Sequence, residues 1–152
     1  AGGHIALLAV CGNETFRGAI SYFGVSDPIA LAADTHKFES GYYDTLIGPL
    51  PAAEHLYRER APVHRVAEID VPVLLLQGLD DRIVPPAQTE TMFRALRGRG
   101  VPVAVATFEG EGHGFRRAES IAASLEMELW FYLHLLSAGA EPPPAGLETA
   151  NL

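Results

Sequence analysis

The sequence predicts an α/β fold in which a parallel sheet is flanked by helices. Short apolar runs rich in β-branched residues alternate with longer segments whose apolar residues recur at helical spacing, and this alternation is typical of parallel βαβ units. The 152 residues, 48% of them hydrophobic, suffice for one globular core. We expect one folded unit over residues 1–138, followed at 139–152 by a proline-rich tail that is extended or disordered.

Three apolar runs have the composition of buried strands. They are residues 19–25, 71–76 and 101–106. Pro72 and Pro102 lie near the starts of the second and third runs, where a missing N–H is tolerated because a first strand position need not donate to the ladder.

Apolar spacing also predicts helices before and between these strands. The chain opens AGGHIALLAV in a helical pattern, and Cys11 in the same apolar stretch is expected to be a small core residue. Pro85 and Pro86 give a later helix its start, and Gly98 and Gly100 mark its end. The inward face of that helix is predicted to be Met92, Ala95 and Leu96.

The last helix carries the most regular pattern in the chain. Large aliphatic side chains recur every four residues, joined by one aromatic residue and a further leucine: Ile121, Leu125, Leu129, Leu133, Trp130 and Leu136. A single apolar stripe predicts that this side of the helix packs against the sheet.

Residues 27–70 are less regular, apart from a predicted helix over 52–60. In a doubly wound sheet, such an excursion lies beyond the carboxyl ends of the strands, where ligands bind. Tyr42 and Tyr43 could form a substrate-facing wall there, although an aromatic pair is more often ordinary packing.

Composition and motif searches exclude several function classes. The net charge is −8 and the basic residues are scattered, which argues against nucleic-acid binding. The single cysteine excludes an internal disulfide and a thiolate-rich metal site. The six histidines show no H-x-x-x-H pair, and no strand leads into a G-x-G-x-x-G or P-loop motif, so neither a metal nor a cofactor is expected. No apolar run has membrane-spanning length, and we expect a soluble, cytoplasmic protein with no membrane partner.

One candidate catalytic loop is GLDDRIVPP, which follows the second predicted strand. Asp81 lies three residues past the glycine that ends the strand, on a tight loop whose direction the apolar residues after it would fix. Asp80 is the alternative acid and could instead cap the turn. An aspartate in a strand-to-helix loop is commonly just an N-cap or turn former.

The second candidate loop is EGEGHGFRRAES, which follows the third predicted strand. Glycines on both sides of His113 suggest an imidazole held on a tight, permissive backbone. The carboxyl ends of successive parallel strands meet at one sheet edge, so Asp81 could accept a hydrogen bond from one imidazole nitrogen while the other faces a nucleophile.

A nucleophile should precede this pair, because the α/β-hydrolase chain order is nucleophile, acid, histidine. None of Ser21, Ser26 and Ser40 is framed by G-x-S-x-G, and Cys11 is predicted to lie inside a helix. The opening AGG has the form of the second half of such an elbow, so the residue just before Ala1 would be the nucleophile.

From Ala1 to about Ala138 the chain resembles the carboxyl-terminal part of a prolyl oligopeptidase-family catalytic domain, on the acylaminoacyl-peptidase and dipeptidyl-peptidase side. The matching segments, in order, are AGGHIALL, YRERAPVHRVAEIDVPVLLLQG, GLDDRIVPPAQTETM and EGEGHGF. The resemblance implies the carboxyl-terminal half of an α/β-hydrolase fold over residues 1–138. It also implies a triad that includes Asp81 and His113, with the Ala1 backbone N–H as one oxyanion donor. In this family a propeller domain usually precedes the catalytic domain.

These expectations describe a serine hydrolase, most simply a peptidase acting on short peptides or on aminoacyl or acylaminoacyl substrates. The alternatives are an esterase of the same fold and a non-catalytic, hydrolase-like binding module. Because the nucleophile, its strand and the second oxyanion donor would lie upstream, we expect this polypeptide alone to be inactive. Its expected partners are a peptide or acyl substrate, the amino-terminal part of the same protein and, as a further possibility, a second copy of itself.

Overall fold

The computed structural model describes residues 1–34, 41–136 and 142–152. Its centre is a four-stranded sheet in the order β1-β2-β3-β4, with β1, β2 and β3 parallel and β4 antiparallel to β3. The strands are β1 (Ala19–Tyr22), β2 (Val73–Gly78), β3 (Val103–Phe108) and β4 (Glu148–Ala150). The α/β class predicted from the sequence, with a parallel sheet flanked by helices, is confirmed.

Helices cover both faces of the sheet. The α-helices are α1 (Gly2–Ala9), α2 (Pro28–Asp34), α3 (Tyr42–Leu46), α4 (Glu54–Glu59), α5 (Pro86–Arg99) and α6 (Ala118–Leu136), and a 3₁₀ helix spans Pro62–Glu68. Val73 and Leu75 pack with α1, α5 and the 3₁₀ helix, whereas Leu74 and Leu76 pack with α6. This division follows from the strand geometry, in which successive side chains point to opposite faces.

The strand limits differ from the predicted ones. β2 and β3 each begin two residues after the predicted start, just past Pro72 and Pro102. The two prolines still take part through their carbonyls, which accept hydrogen bonds from the Ala19 and Val73 N–H groups. β1 ends at Tyr22 rather than at residue 25, because Phe23 adopts a left-handed backbone conformation, with φ 52°, that cannot continue a strand.

Helix α5 follows the prediction closely. It begins at Pro86 and stops at Gly100, whose φ of 83° suits the left-handed position that ends a helix. Met92 and Leu96 are fully buried in the core, and Ala95 packs against it. Cys11 also lies in this core, as predicted, but just past the end of α1 rather than inside the helix.

The prediction for α6 was wrong in which face it buries. The four-residue stripe is exposed: Ile121 is 41% accessible, Leu125 56%, Leu129 59% and Leu133 54%. The buried residues are instead Ser120, Ser124, Met127 and Phe131. Their spacing follows the 3.6-residue helical period, and the two small serines allow close approach to the sheet. The prediction failed because it followed the largest aliphatic side chains, which do not lie on the inward face.

The excursion between β1 and β2 is mostly helical. The predicted helix over 52–60 is present as α4, and its Tyr57 is fully buried, with its hydroxyl donating to the Gly48 carbonyl. The Tyr43 ring lies 6.4 Å from the Tyr57 ring, which fits ordinary aromatic packing. The side chain of Tyr42, the other half of the predicted pair, lies outside the described residues.

The tail takes a defined path where it is described, over residues 142–152. Glu148 and Ala150 pair with Val105 and Val103 in an antiparallel ladder. The amide of Asn151 donates to the carbonyls of Arg97 and Val101, at 3.1 Å each. Residues 148–150 thus form the edge strand β4 of the sheet. None of the helices in the described ranges has the length and apolar character needed to cross a membrane.

Candidate active site

The acid loop, residues 79–85, leaves β2 at Gly78. Asp81 is buried there, and its Oδ1 accepts hydrogen bonds from the backbone N–H groups of Ile83 (2.9 Å) and Val84 (2.8 Å). These bonds form an Asx turn, in which the aspartate side chain accepts hydrogen bonds from the backbone N–H groups two and three residues later. Asp81 therefore performs the turn-forming role that the sequence left open for Asp80, and it does so while its second oxygen stays available.

That second oxygen, Oδ2 of Asp81, is held from the strand side by Gln77. The Gln77 side chain is fully buried, and its Nε2 lies 3.3 Å from Oδ2 and 3.2 Å from the Val84 carbonyl. Its Oε1 accepts a hydrogen bond of 2.8 Å from the Thr89 hydroxyl on α5. Sequence reasoning missed this residue, although one amide in the otherwise apolar run VLLLQ was a visible signal.

The histidine loop, residues 109–117, leaves β3 and carries His113 at its tip. Gly114 N–H donates to the Gly112 carbonyl at 2.8 Å, which makes a three-residue turn around His113. Gly110 and Gly114 have φ values of 73° and 128°, which favour glycine. The predicted contact is present: His113 Nδ1 lies 2.8 Å from Asp81 Oδ2, with the imidazole side chain 32% exposed and the carboxylate wholly buried.

The backbones of the two loops are also joined directly. The Asp80 N–H donates to the Glu111 carbonyl at 2.8 Å, and Leu79 N–H donates to the Phe108 carbonyl at 2.9 Å. A Cβ on Gly78 would overlap the Glu111 carbonyl, so only glycine lets the loops approach this closely. Backbone hydrogen bonds therefore join the loop that carries Asp81 to the loop that carries His113.

Phe23 forms an aromatic wall beside the imidazole. Its ring centre lies 5.3 Å from that of His113 and 5.0 Å from that of Phe115. A bulky side chain in the left-handed region is strained, and such strain is often found near functional sites. Sequence reasoning did not single out Phe23, because its backbone conformation cannot be read from residue type.

The start of α1 lies at the same rim of the sheet. Gly3 packs so tightly on the end of β1 that a Cβ there would come within 2.8 Å of the Gly24 Cα. The Ser21 hydroxyl donates to the Gly3 carbonyl at 3.2 Å. Phe23, which lies between Tyr22 and Gly24 in the chain, contacts the His113 ring, so the start of α1 and the histidine loop both contact the segment that follows β1.

The serines and the cysteine set aside as nucleophiles are engaged elsewhere where they are described. The Ser26 hydroxyl donates to the Gln88 carbonyl at 2.7 Å, and Ser21 is bonded to Gly3. Burial raises the pKa of the Cys11 thiol, which disfavours the reactive thiolate. Ser40 lies outside the described residues. Among the residues that can be described, no group of three or more His, Cys, Asp and Glu side chains could hold a metal ion.

Comparison with known proteins shows which family this chain resembles. The model of the prolyl oligopeptidase family matches residues 1–139. A puromycin-hydrolyzing peptidase of Mycobacterium tuberculosis superposes with a TM-score of 0.87 and 48% identity, over 97% of this chain and 22% of that one.

Two relatives represent the acylaminoacyl and dipeptidyl peptidase sides of the family. The dipeptidyl aminopeptidase BIII of Pseudoxanthomonas mexicana is 26% identical over 85% of this chain and 19% of its own length. The acylamino-acid-releasing enzyme of Mus musculus is 31% identical over 80% of this chain and 18% of its own length. The chain therefore spans about a fifth of the length of the relatives it matches. On the family match and the shared α/β-hydrolase fold, this chain belongs to the prolyl oligopeptidase family.

Proposed function

We propose that the full-length protein that carries these residues is a serine peptidase. In this proposal Asp81 and His113 form the triad with a serine that immediately precedes Ala1. The observation that carries it is the 2.8 Å contact between His113 Nδ1 and the buried Asp81 Oδ2 at the carboxyl rim of the sheet. An acid and a histidine on successive loops, in this chain order, match the triad of α/β-hydrolases.

The role of His113 follows from which of its imidazole nitrogens bonds Asp81. With Nδ1–H donating to Asp81, Nε2 of His113 carries the lone pair and takes the proton of the attacking hydroxyl. The buried carboxylate stabilises the imidazolium that forms, and Nε2–H then protonates the leaving amine. The two backbone N–H bonds on Asp81 Oδ1 keep the carboxylate in place throughout.

The developing oxyanion needs hydrogen-bond donors beside the nucleophile. The Ala1 N–H supplies one such donor in this proposal, since it follows the nucleophile directly and stands at the amino-terminal end of α1. This donor requires a peptide bond between Ala1 and the residue that precedes it.

The relatives suggest the substrate class. Their names describe a puromycin-hydrolyzing peptidase, a dipeptidyl aminopeptidase and an acylamino-acid-releasing enzyme. Two of these names describe enzymes that act on dipeptidyl or acylamino-acid units, and the third describes hydrolysis of puromycin. We extend this to the present protein as cleavage of short peptides and of aminoacyl or acylaminoacyl amides.

A fluorophosphonate probe tests the proposal on the full-length protein. We expect covalent labelling at the residue before Ala1, mapped by peptide mass spectrometry, and hydrolysis of puromycin and aminoacyl anilides faster than that of simple alkyl esters. His113→Ala should abolish both, whereas His55→Ala, an exposed histidine on α4, should change neither. The polypeptide of residues 1–152 alone should not be labelled. A full-length protein that neither reacts with the probe nor hydrolyses any of these substrates would be a binding module instead.

A further inference from the structure

Glu111 is a buried carboxylate in a loop that is otherwise largely exposed. It is 1% accessible to solvent, although the triad chemistry makes no use of it. A carboxylate this deeply buried requires compensation by several hydrogen bonds, so each of its partners bears on what it does.

Those partners lie on the far side of His113 in the chain. Oε2 accepts a hydrogen bond of 2.8 Å from the Arg116 N–H, and Oε1 accepts one of 3.0 Å from the Arg117 N–H. The side chain thus reaches across the turn and closes residues 112–116 into a ring with His113 near its middle. The Ser120 hydroxyl, in the first turn of α6, also bonds the carboxylate.

The backbone of Glu111 is equally engaged, on the other side. Its carbonyl accepts the 2.8 Å bond from the Asp80 N–H. The adjoining contact with Gly78 leaves no room for a Cβ. One residue therefore binds the acid loop through its main chain and the start of α6 through its side chain, while the imidazole is carried two positions further along.

The charge of Glu111 is favoured in this setting. Burial alone would raise its pKa, but the hydrogen bonds from Ser120, Arg116 and Arg117 and the nearby Arg117 guanidinium outweigh burial, so the pKa lies below its ordinary value. The carboxylate is ionised at neutral pH, so both of its oxygens act only as hydrogen-bond acceptors.

We propose that Glu111 is a positioning residue for His113. Its carboxylate fixes the histidine loop against α6 and its carbonyl fixes that loop to the acid loop, so that the imidazole is held at hydrogen-bond distance from Asp81. The proposal rests on the proposed peptidase function. Glu111 touches no reacting atom and acts only through the geometry of the loop.

The test uses the full-length protein and three variants. Glu111→Gln keeps the shape but turns an N–H₂ group toward one of two backbone N–H donors, so the loop must move. Glu111→Asp keeps the charge on a shorter arm. Glu109→Gln is the matched control, because it makes the same charge change at an exposed position of the same loop.

The readout separates positioning from folding. End-point fluorophosphonate labelling counts competent sites, and kcat per labelled site and KM are then measured on an aminoacyl anilide. We expect Glu111→Gln to lower kcat per site about 10- to 100-fold, the size expected for misplacement by about 1 Å. KM should stay within about twofold, Glu111→Asp should be intermediate, and Glu109→Gln should match the unmodified protein.

The outcomes are distinct. A lower labelled fraction with unchanged kcat per site would mean that Glu111 serves folding alone, which overturns the inference. If Glu111→Gln does not fold, Glu111→Asp decides by the same measurement: a reduced kcat per site supports positioning, and an unchanged one refutes it. An unmodified protein with no labelling and no hydrolysis refutes the proposed function itself, and this inference with it.

Discussion

Asp81→Asn is the most informative single change, because all four partners of this carboxylate are hydrogen-bond donors. Oδ1 faces the N–H groups of Ile83 and Val84, and Oδ2 faces His113 Nδ1 and Gln77 Nε2. An asparagine has one oxygen to offer. If that oxygen keeps the two backbone bonds, the amide N–H₂ faces the imidazole.

An N–H₂ group at that point forces the wrong imidazole tautomer. His113 Nδ1 would have to accept a hydrogen bond rather than donate one, which leaves the imidazole proton on Nε2 and removes the base. In serine proteases the corresponding change lowers kcat about 10⁴-fold, equivalent to about 5.5 kcal/mol of transition-state stabilisation. The opposite amide orientation restores the tautomer but breaks the turn, at a cost of about 1–3 kcal/mol in folding for unsatisfied buried donors.

The assay is steady-state hydrolysis of an aminoacyl anilide by the full-length protein, with unfolding followed by circular dichroism. Asp80→Asn, the exposed neighbour, is the control and should remain within about twofold. Because residues of a triad act as a unit, Asp81→Asn combined with His113→Ala should be no slower than His113→Ala alone. An Asp81→Asn variant that keeps the stability of the unmodified protein and an activity within about tenfold of it would refute the assigned role.

Three further outcomes follow from contacts described above. Gly78→Ala places a Cβ against the carbonyls of Glu111 and Gly112 and should destabilise the protein by about 1–3 kcal/mol, with a matching loss of activity. Gly98→Ala, in open space inside α5, should instead stabilise it by about 0.5–1 kcal/mol. Chemical denaturation measures both free energies of unfolding, and equal effects would contradict the close approach of the two loops. The buried Cys11 thiol, with its raised pKa, should resist maleimide at neutral pH and react fully once the protein is unfolded; rapid reaction in the native state would show that it is accessible. Because the pKa of Glu111 is lowered on folding, its contribution to stability is present at neutral pH and disappears as the pH falls through that lowered value. The difference in melting temperature between the unmodified protein and Glu111→Gln should therefore narrow as the pH falls below the ordinary range of a glutamate pKa, and a difference independent of pH would contradict the ionised state.

The part of the site that could be predicted is the part that topology dictates. Successive parallel strands end at one edge of a sheet, so loops that follow them are neighbours whatever their sequences. Asp81 and His113 each follow such a strand, and the order of their motifs sufficed to predict the contact. The α5 face was equally accessible, because Met92 and Leu96 are large, apolar and spaced at the helical period.

The rest of the site and the inward face of α6 depend on contacts between segments distant in the sequence, which a pattern along the chain does not show. Gln77 and Glu111 are polar residues whose burial becomes favourable only when donors and acceptors arrive from other segments. A glutamate among glycines reads as a solvated loop residue. On α6, Ser120 and Ser124 face inward because their small size suits the helix–sheet distance, while the larger leucines, which dominate any hydropathy pattern, point away.

Those outward leucines govern how the polypeptide of residues 1–152 behaves in water. Leu125, Leu129 and Leu133 form an exposed apolar stripe along one side of a nineteen-residue helix. Exposed apolar surfaces of this kind promote self-association unless another part of a protein covers them. Purification of this stretch by itself should therefore yield oligomers or precipitate at concentrations where a fully covered hydrolase stays monodisperse. Replacing the three leucines with lysine or glutamate would be the first step toward a soluble fragment for spectroscopy of the acid–histidine pair.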